Sequence, residues 1–182
     1  TVSMTTDRNV SAVFAIDRHV LTVNAGSGGT AIGSGTYDYD TNRSIDASPD
    51  VGYHFVDWTG SGVVDSTAAS TTVSMTSDRN VTANFAIDLH LLTLTAGTGG
   101  TVEGDGNYTY DTNASIDANP DVGYHFDSWS GSGVADSTSA STTVSMTSDR
   151  NVTANFAIDE HLLTLTAGTG GTVEGDGNYT YD

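Results

Sequence analysis

The chain has 182 residues, 23 acidic and 5 basic, and its formal net charge of -18 excludes a phosphate-backbone partner, because nucleic acid is held by cations and repels carboxylates. All five cations are arginines (Arg8, Arg18, Arg43, Arg79, Arg150), and neither lysine nor glutamine occurs, which removes Schiff-base chemistry, a P-loop lysine, lysine–asparagine isopeptide links and threonine–glutamine ester links. The absence of cysteine removes disulfides, thiolate zinc sites and thiol nucleophiles, and no apolar run approaches the ~20 residues of a membrane-spanning helix.

Taken in chain order, the sequence repeats itself. TVSMTTD at Thr1 returns as TVSMTSD at Thr72 and Thr143, and LTVNAGSGGT at Leu21 returns as LTLTAGTGGT at Leu92 and Leu163, a period of 71 residues. Residues 1–17 are the end of one repeat and 160–182 the start of another. Between them, 18–88 and 89–159 are two complete repeats that differ at 17 of 71 positions without a gap. The period exceeds the ~20–50 residues of solenoid repeats, so each unit is expected to own a small core, like a bead. Because the pattern is cut at both ends, the natural polypeptide is expected to continue on both sides, with the terminal fragments packed as in the complete repeats.

Each repeat reads as β throughout. In the second, residues 91–96 (LLTLTA) form a threonine-rich strand ended by Gly97-Thr98-Gly99-Gly100. Residues 101–111 (TVEGDGNYTYD) alternate, with Tyr108 and Tyr110 on one face and a bend or bulge at Gly104-Asp105-Gly106-Asn107. Residues 115–118 (SIDA) make a short strand closed by Asn119-Pro120-Asp121, and 123–131 (GYHFDSWSG) carry the main aromatic cluster before a serine-rich loop. The last two strands are 142–146 (TTVSM) and 151–158 (NVTANFAI). No ten-residue stretch has helical periodicity. The fold expected is all-β, a tandem array of small antiparallel β-sandwich or barrel-like beads with about six short strands per repeat. Tyr53, Phe55, Trp58 and Phe85, and likewise Tyr124, Phe126, Trp129 and Phe156, are read as structural core, since so short a unit has few large residues to bury.

Only Asp88-Leu89-His90 lie between the last strand expected in one repeat and the first expected in the next, where a flexible linker would be longer and rich in glycine, serine or proline. Apolar residues are odd-numbered before this junction (Val81, Ala83, Phe85, Ile87) and even-numbered after it (Leu92, Leu94, Ala96). A chain extended through the junction would place successive cores on opposite sides of a shared strand and make the array stiff. A bulge or kink at Asp88-Leu89 would restore the side.

The succession L-T-x-x-A-G-x-G-G-T (92–101), G-x-G-x-Y (104–108), A-x-P-D-x-G-Y-x-F-x-x-W-x-G (118–131) and T-V-x-M-T-x-D-R-x-V-x-A-N-F (143–156) resembles the divergent internalin-type B repeat of bacterial surface proteins. The likeness covers both complete repeats and both fragments. It implies a tandem stalk or spacer in a large exported protein, hence an extracellular or cell-surface location. Asp and Asn crowd positions where many relatives carry Ser, Thr or Gly, which leaves room for a specialised ion or sugar role.

Four chemistries are weighed on the residues themselves. Catalysis is not expected: His19, His90 and His161 recur at the junctions and His54 and His125 in the aromatic strand, but no nucleophile is paired with them, and Asp88 and His90 read as sharing a solvated face. Asp38, Asp40 and Asn42 form D-x-D-x-N, oxygen ligands suited to calcium, and Asp88 or Asp159 would serve at a junction site; the plainer reading is that these carboxylates solubilise the array. Sequons at Asn9, Asn42, Asn80, Asn107, Asn113, Asn151 and Asn178 are candidate N-glycan acceptors, although threonine and serine are common enough here to produce several by composition. The aromatic rings are simpler as core than as sugar platforms. The function read from this is a stiff, acidic, non-enzymatic stalk or fibre segment, with no cofactor unless calcium binds. Its partners would be neighbouring repeats and laterally associated copies. The alternative is a multivalent glycan-binding or adhesive module.

Overall fold

The computed structural model describes residues 1–181, and they contain strands and no helix. The first repeat forms β1 (Arg18–Ala25), β2 (Gly29–Ile32), β3 (Gly35–Asp38), β4 (Asn42–Pro49), β5 (Tyr53–Gly60), β6 (Ser70–Ser74) and β7 (Arg79–Ile87). The second forms β8 (Leu89–Ala96), β9 (Gly100–Glu103), β10 (Gly106–Thr109), β11 (Thr112–Pro120), β12 (Tyr124–Gly131), β13 (Ser141–Met146) and β14 (Arg150–Ile158). A hairpin of β15 (Glu160–Leu163) and β16 (Gly177–Thr180) follows. The chain divides into two compact units, Thr1–Ala86 and Ile87–Asp182.

Each repeat is a sandwich of a four-stranded sheet, in the order β3-β1-β7-β5 or β10-β8-β14-β12, and a three-stranded one, β2-β4-β6 or β9-β11-β13. There are seven strands where about six were expected, because the alternating stretch 101–111 is two strands in different sheets. Gly104 makes that corner. Its φ is 108°, and a Cβ there would stand 2.2 Å from the Ser115 carbonyl oxygen, so the position admits only glycine. The other side of the sandwich is closed by the loop after β12: Trp129 N–H donates to Ser137 O (2.8 Å), Ala135 N–H to Thr143 O (2.9 Å) and Ser145 N–H to Gly133 O (2.9 Å).

The pairing departs from a purely antiparallel array. The first and last strands of each repeat lie side by side in parallel, residues 21–25 against 79–83 and 92–96 against 150–154. A short hairpin forces antiparallel neighbours, but here the rest of the repeat lies between the two strands and leaves their direction free.

Alternation decides what is buried. In β14, Val152 and Ala154 are buried while Asn151 is exposed. With Leu92, Ile116, Val144 and Met146, all fully buried, and Trp129 at 4% exposure, they form the second core. Leu21, Ile45, Val73, Met75, Val81 and Trp58 form the first. Phe126 and Trp129 are three residues apart, which a regular strand would send to opposite faces. A bulge between Phe126 and Ser128 turns both inward, with ring centroids 5.6 Å apart and Phe156 6.2 Å from Phe126. Phe55, Trp58 and Phe85 make the same cluster in the first repeat. Tyr53 and Tyr124 stand apart from the core expected of them: they begin β5 and β12, are half-buried, and pack over Gly28 and Gly99 at the sandwich end.

Neither terminal fragment packs as in the complete repeats: residues 171–174, the counterpart of β9, form no strand, and Leu163 is 46% exposed where its counterpart Leu92 is fully buried. Residues 1–17 carry the sequence of β13 and β14 yet form no strand, and Val10, Phe14 and Ile16 are exposed. The β15–β16 hairpin does keep the register of β8 with β10, Glu160 opposite Thr180 as Leu89 is opposite Thr109.

Candidate functional site

Among the described residues no cavity is formed, and no three His, Asp or Glu side chains come together. What the residues build instead is a repeat junction and, beside it, a set of side-chain locks.

The junction is best seen at Asp159. Its N–H donates to Gly123 O (2.8 Å), one rung beyond Tyr124 opposite Ile158 in the β12–β14 ladder. Its carbonyl accepts from Tyr181 N–H (2.9 Å), one rung beyond Glu160 opposite Thr180 in the β15–β16 ladder. The N–H and C=O of an extended residue point to the same side, so β14 runs through Asp159 into β15 and takes β12 and then β16 as successive partners along one edge. The Tyr181 ring lies on Gly123, whose φ is 84° and whose Cβ, if present, would stand 2.2 Å from Tyr181 Cδ1. His125 Nδ1 adds a hydrogen bond to Asp159 Oδ1 (2.8 Å). The same tyrosine-to-aspartate rung recurs from Tyr39 to Asp17 (2.8 Å) and from Tyr110 to Asp88 (2.9 Å).

The Asp-Arg dipeptide before the last strand supplies the locks. Asp149 Oδ1 accepts the Leu91 N–H at 2.9 Å and faces His90 Nδ1 at 3.5 Å; Asp78 does the same for Val20 at 2.8 Å and His19 at 3.4 Å. Arg150 donates from Nε to Ser145 O (3.2 Å), from Nη1 to Ser132 Oγ (2.9 Å) and from Nη2 to Thr147 Oγ1 (2.9 Å). Arg79 repeats this with Ser74, Ser61 and Thr76. The guanidinium fork thereby ties β13, its turn and the loop after β12 to the start of the last strand. The sequence reading includes Asp149 and Arg150 in the repeat motif but gives no role to them or to Asp78 and Arg79. The signal that could have found them is T-S-D-R-N, identical in both repeats.

The candidate calcium ligands are dispersed among other tasks. Asp38 Oδ1 pairs with Arg18 Nε at 2.8 Å, Asp40 holds a left-handed turn with φ of 61°, and Asn42 opens β4. Asp159 serves the junction, and the Asp88 carbonyl accepts from Tyr110. All seven sequon asparagines are exposed; Asn80 Oδ1 accepts from Asn24 Nδ2 at 2.6 Å and Asn178 Nδ2 donates to Glu160 Oε2 at 3.3 Å. Trp58 and Trp129 are 3% and 4% exposed, and their indole N–H groups donate to Ala68 O and Ser139 O. Two loop carboxylates titrate below the usual range. Asp136 is stabilised as the anion by the Thr138 hydroxyl and then its N–H, and Asp65 by the Thr67 N–H and then its hydroxyl.

Comparison with known proteins agrees with this repeat architecture. Neither the curated proteins nor the solved structures yield a match. The family profile of the divergent InlB B-repeat domain matches residues 19–88 and 90–160, well over half of the chain. The protein therefore belongs to the divergent InlB B-repeat family.

Proposed function

We propose that the chain is a stiff spacer segment of a bacterial surface protein, a stalk that holds other parts away from the cell. The single observation that carries this reading is the backbone of Asp159, shared by the last ladder of one repeat and the first of the next. A junction of one residue with both polar groups bonded leaves no free dihedral pair of the kind a flexible linker provides. Burial of both tryptophans supports the spacer over an adhesive module that stacks sugars on aromatic rings. The family's association with bacterial surface proteins supports the location.

The test is a distance measurement between spin labels at Ser66→Cys and Ser137→Cys, exposed positions in a chain without native cysteine. A single narrow distribution, unchanged by salt, is expected. A broad distribution would overturn the stiff spacer. Saturable binding of the same chain on a glycan array would favour the adhesive module.

A further inference from the structure

We infer that each repeat is a load-bearing clamp, in which the parallel pair of first and last strands resists tension in shear. Tension along a continuous chain acts on the second repeat where the chain enters, at Leu89, and where it leaves, at Ile158. The strands that carry those points, β8 and β14, are hydrogen-bonded neighbours running in the same direction, in register from Leu92 opposite Arg150 to Ala96 opposite Ala154. Pulling the two ends apart therefore drives the strands along their own axes in opposite directions. The bonds of a parallel ladder are evenly spaced and bridge the two strands at a common slant, so sliding the strands past each other strains the rungs together and none fails ahead of the rest. Antiparallel terminal neighbours would present both ends at one edge, and the same tension would open them rung by rung.

Both ends of the clamp are reinforced. Gly97 N–H donates to Ala154 O (2.9 Å) beyond the last matched pair, and the Asp149 carboxylate holds the Leu91 N–H (2.9 Å) before the first. The first repeat has the same parts: residues 21–25 against 79–83, Gly26 N–H to Ala83 O (2.8 Å) and Val20 N–H to Asp78 Oδ1 (2.8 Å). Leu92, Val152 and Ala154 bury the inner side of the pair, so water cannot replace its rungs from the core. The free edge of β14 is taken by β12, so β14 cannot slide without breaking a second ladder. The strands between β8 and β14 in sequence bear no tension until the clamp fails. This adds load-bearing to the spacer reading and does not depend on stiffness of the array, since it concerns the inside of one repeat.

The test pulls the full chain in two directions with optical tweezers at one loading rate. Handles at Leu89→Cys and Glu160→Cys load the pair in shear. Handles at Leu89→Cys and Ser148→Cys, both at the starts of the paired strands, peel it open. All three positions are exposed. The expected unfolding force is higher in shear by a factor of about two or more. Equal forces, or a lower one in shear, would overturn the inference. Matching urea midpoints for the two variants tie the difference to the direction of load. If either is destabilised, the first repeat supplies the same comparison with Arg18→Cys/Leu89→Cys against Arg18→Cys/Ser77→Cys, judged by the same outcomes. A broad spin-label distribution beside a high shear force would remove the stiff spacer and keep the clamp.

Discussion

Trp129→Ala should split the unfolding of this chain into two separate transitions. The indole is 4% exposed, packs 5.6 Å from the Phe126 ring and donates to Ser139 O at 3.0 Å. A buried tryptophan removes some 200 Å² from water, worth about 5 kcal/mol at 25 cal/mol per Å² as an upper bound, and measured aromatic-to-alanine losses run about 3–5 kcal/mol. Ser139 is only half-buried, so water can replace the lost donor and the broken hydrogen bond adds little. A unit of this size has a total stability of roughly 4–10 kcal/mol, so the substitution removes about half of it or more. With a urea slope near 1 kcal/mol per molar, the second repeat should unfold about 3–5 M earlier. Trp58 then remains as the only tryptophan and reports the first repeat by fluorescence, while circular dichroism reports both. The expected result is an early dichroism transition that fluorescence does not follow. One shared transition, shifted for both probes, would refute independent cores; an unshifted one would place the ring outside the core.

Further outcomes follow from the locks and the junction. Arg150→Lys should destabilise the second repeat by about 1–3 kcal/mol in a urea titration, because an ammonium cannot reproduce three divergent donors. Asp136→Ala should cost stability at neutral pH, and its deficit relative to wild type should shrink on acidification. The folded carboxyl is shifted down, so its contribution is complete above the usual carboxylate range near pH 4 and is lost as the pH falls through the lowered value. A deficit that stayed constant down to pH 2 would mean that the charged form is not what the Thr138 bonds stabilise. Tyr181→Ala should abolish exchange protection in the β15–β16 hairpin while leaving the melting of the second repeat unchanged; retained protection would show that the ring on Gly123 does not hold the junction.

Much of the fold is legible in the sequence, because the signals concerned are local. The alternation of NVTANFAI fixes which face of β14 is buried, and the glycines at Gly97-Thr98-Gly99-Gly100 fix where β8 stops. Gly104 marked a bend, but whether a bend changes sheets depends on what packs beneath it, here the backbone of Ser115. The parallel pairing of β8 with β14 left no trace, since residues so far apart in the chain carry no turn between them that sets direction. The bulge at Phe126–Ser128 could have been inferred from the aromatic spacing itself, as two large rings three apart in a strand share a face only if a residue is inserted. The junction was read as a choice between extension and a kink. At Asp159 the bonding of both backbone groups along one edge is that of an extended residue.

The acidic residues were the least legible part, and comparing the two repeats shows why. Arg18 stands opposite Asp38 and pairs with it, whereas the second repeat has Leu89 opposite Thr109 in the same register. Cation and anion are gained or lost together, so the first member of D-x-D-x-N answers to an arginine across the strand. The second, Asp40, is retained as Asp111, and both hold left-handed φ values of 61° and 62°, a conformation that aspartate and asparagine tolerate better than most residues. The third, Asn42, opens a strand with its side chain exposed. Each position has its own reason, and none of the three requires an ion. Millimolar calcium should therefore raise the melting temperature no more than sodium chloride at matched ionic strength, since both act by screening a chain with a net charge of -18. A saturable rise of about 10 °C or more with calcium alone would require tight binding to the native state and would return Asp38, Asp40, Asp88 and Asp159 to consideration as ligands.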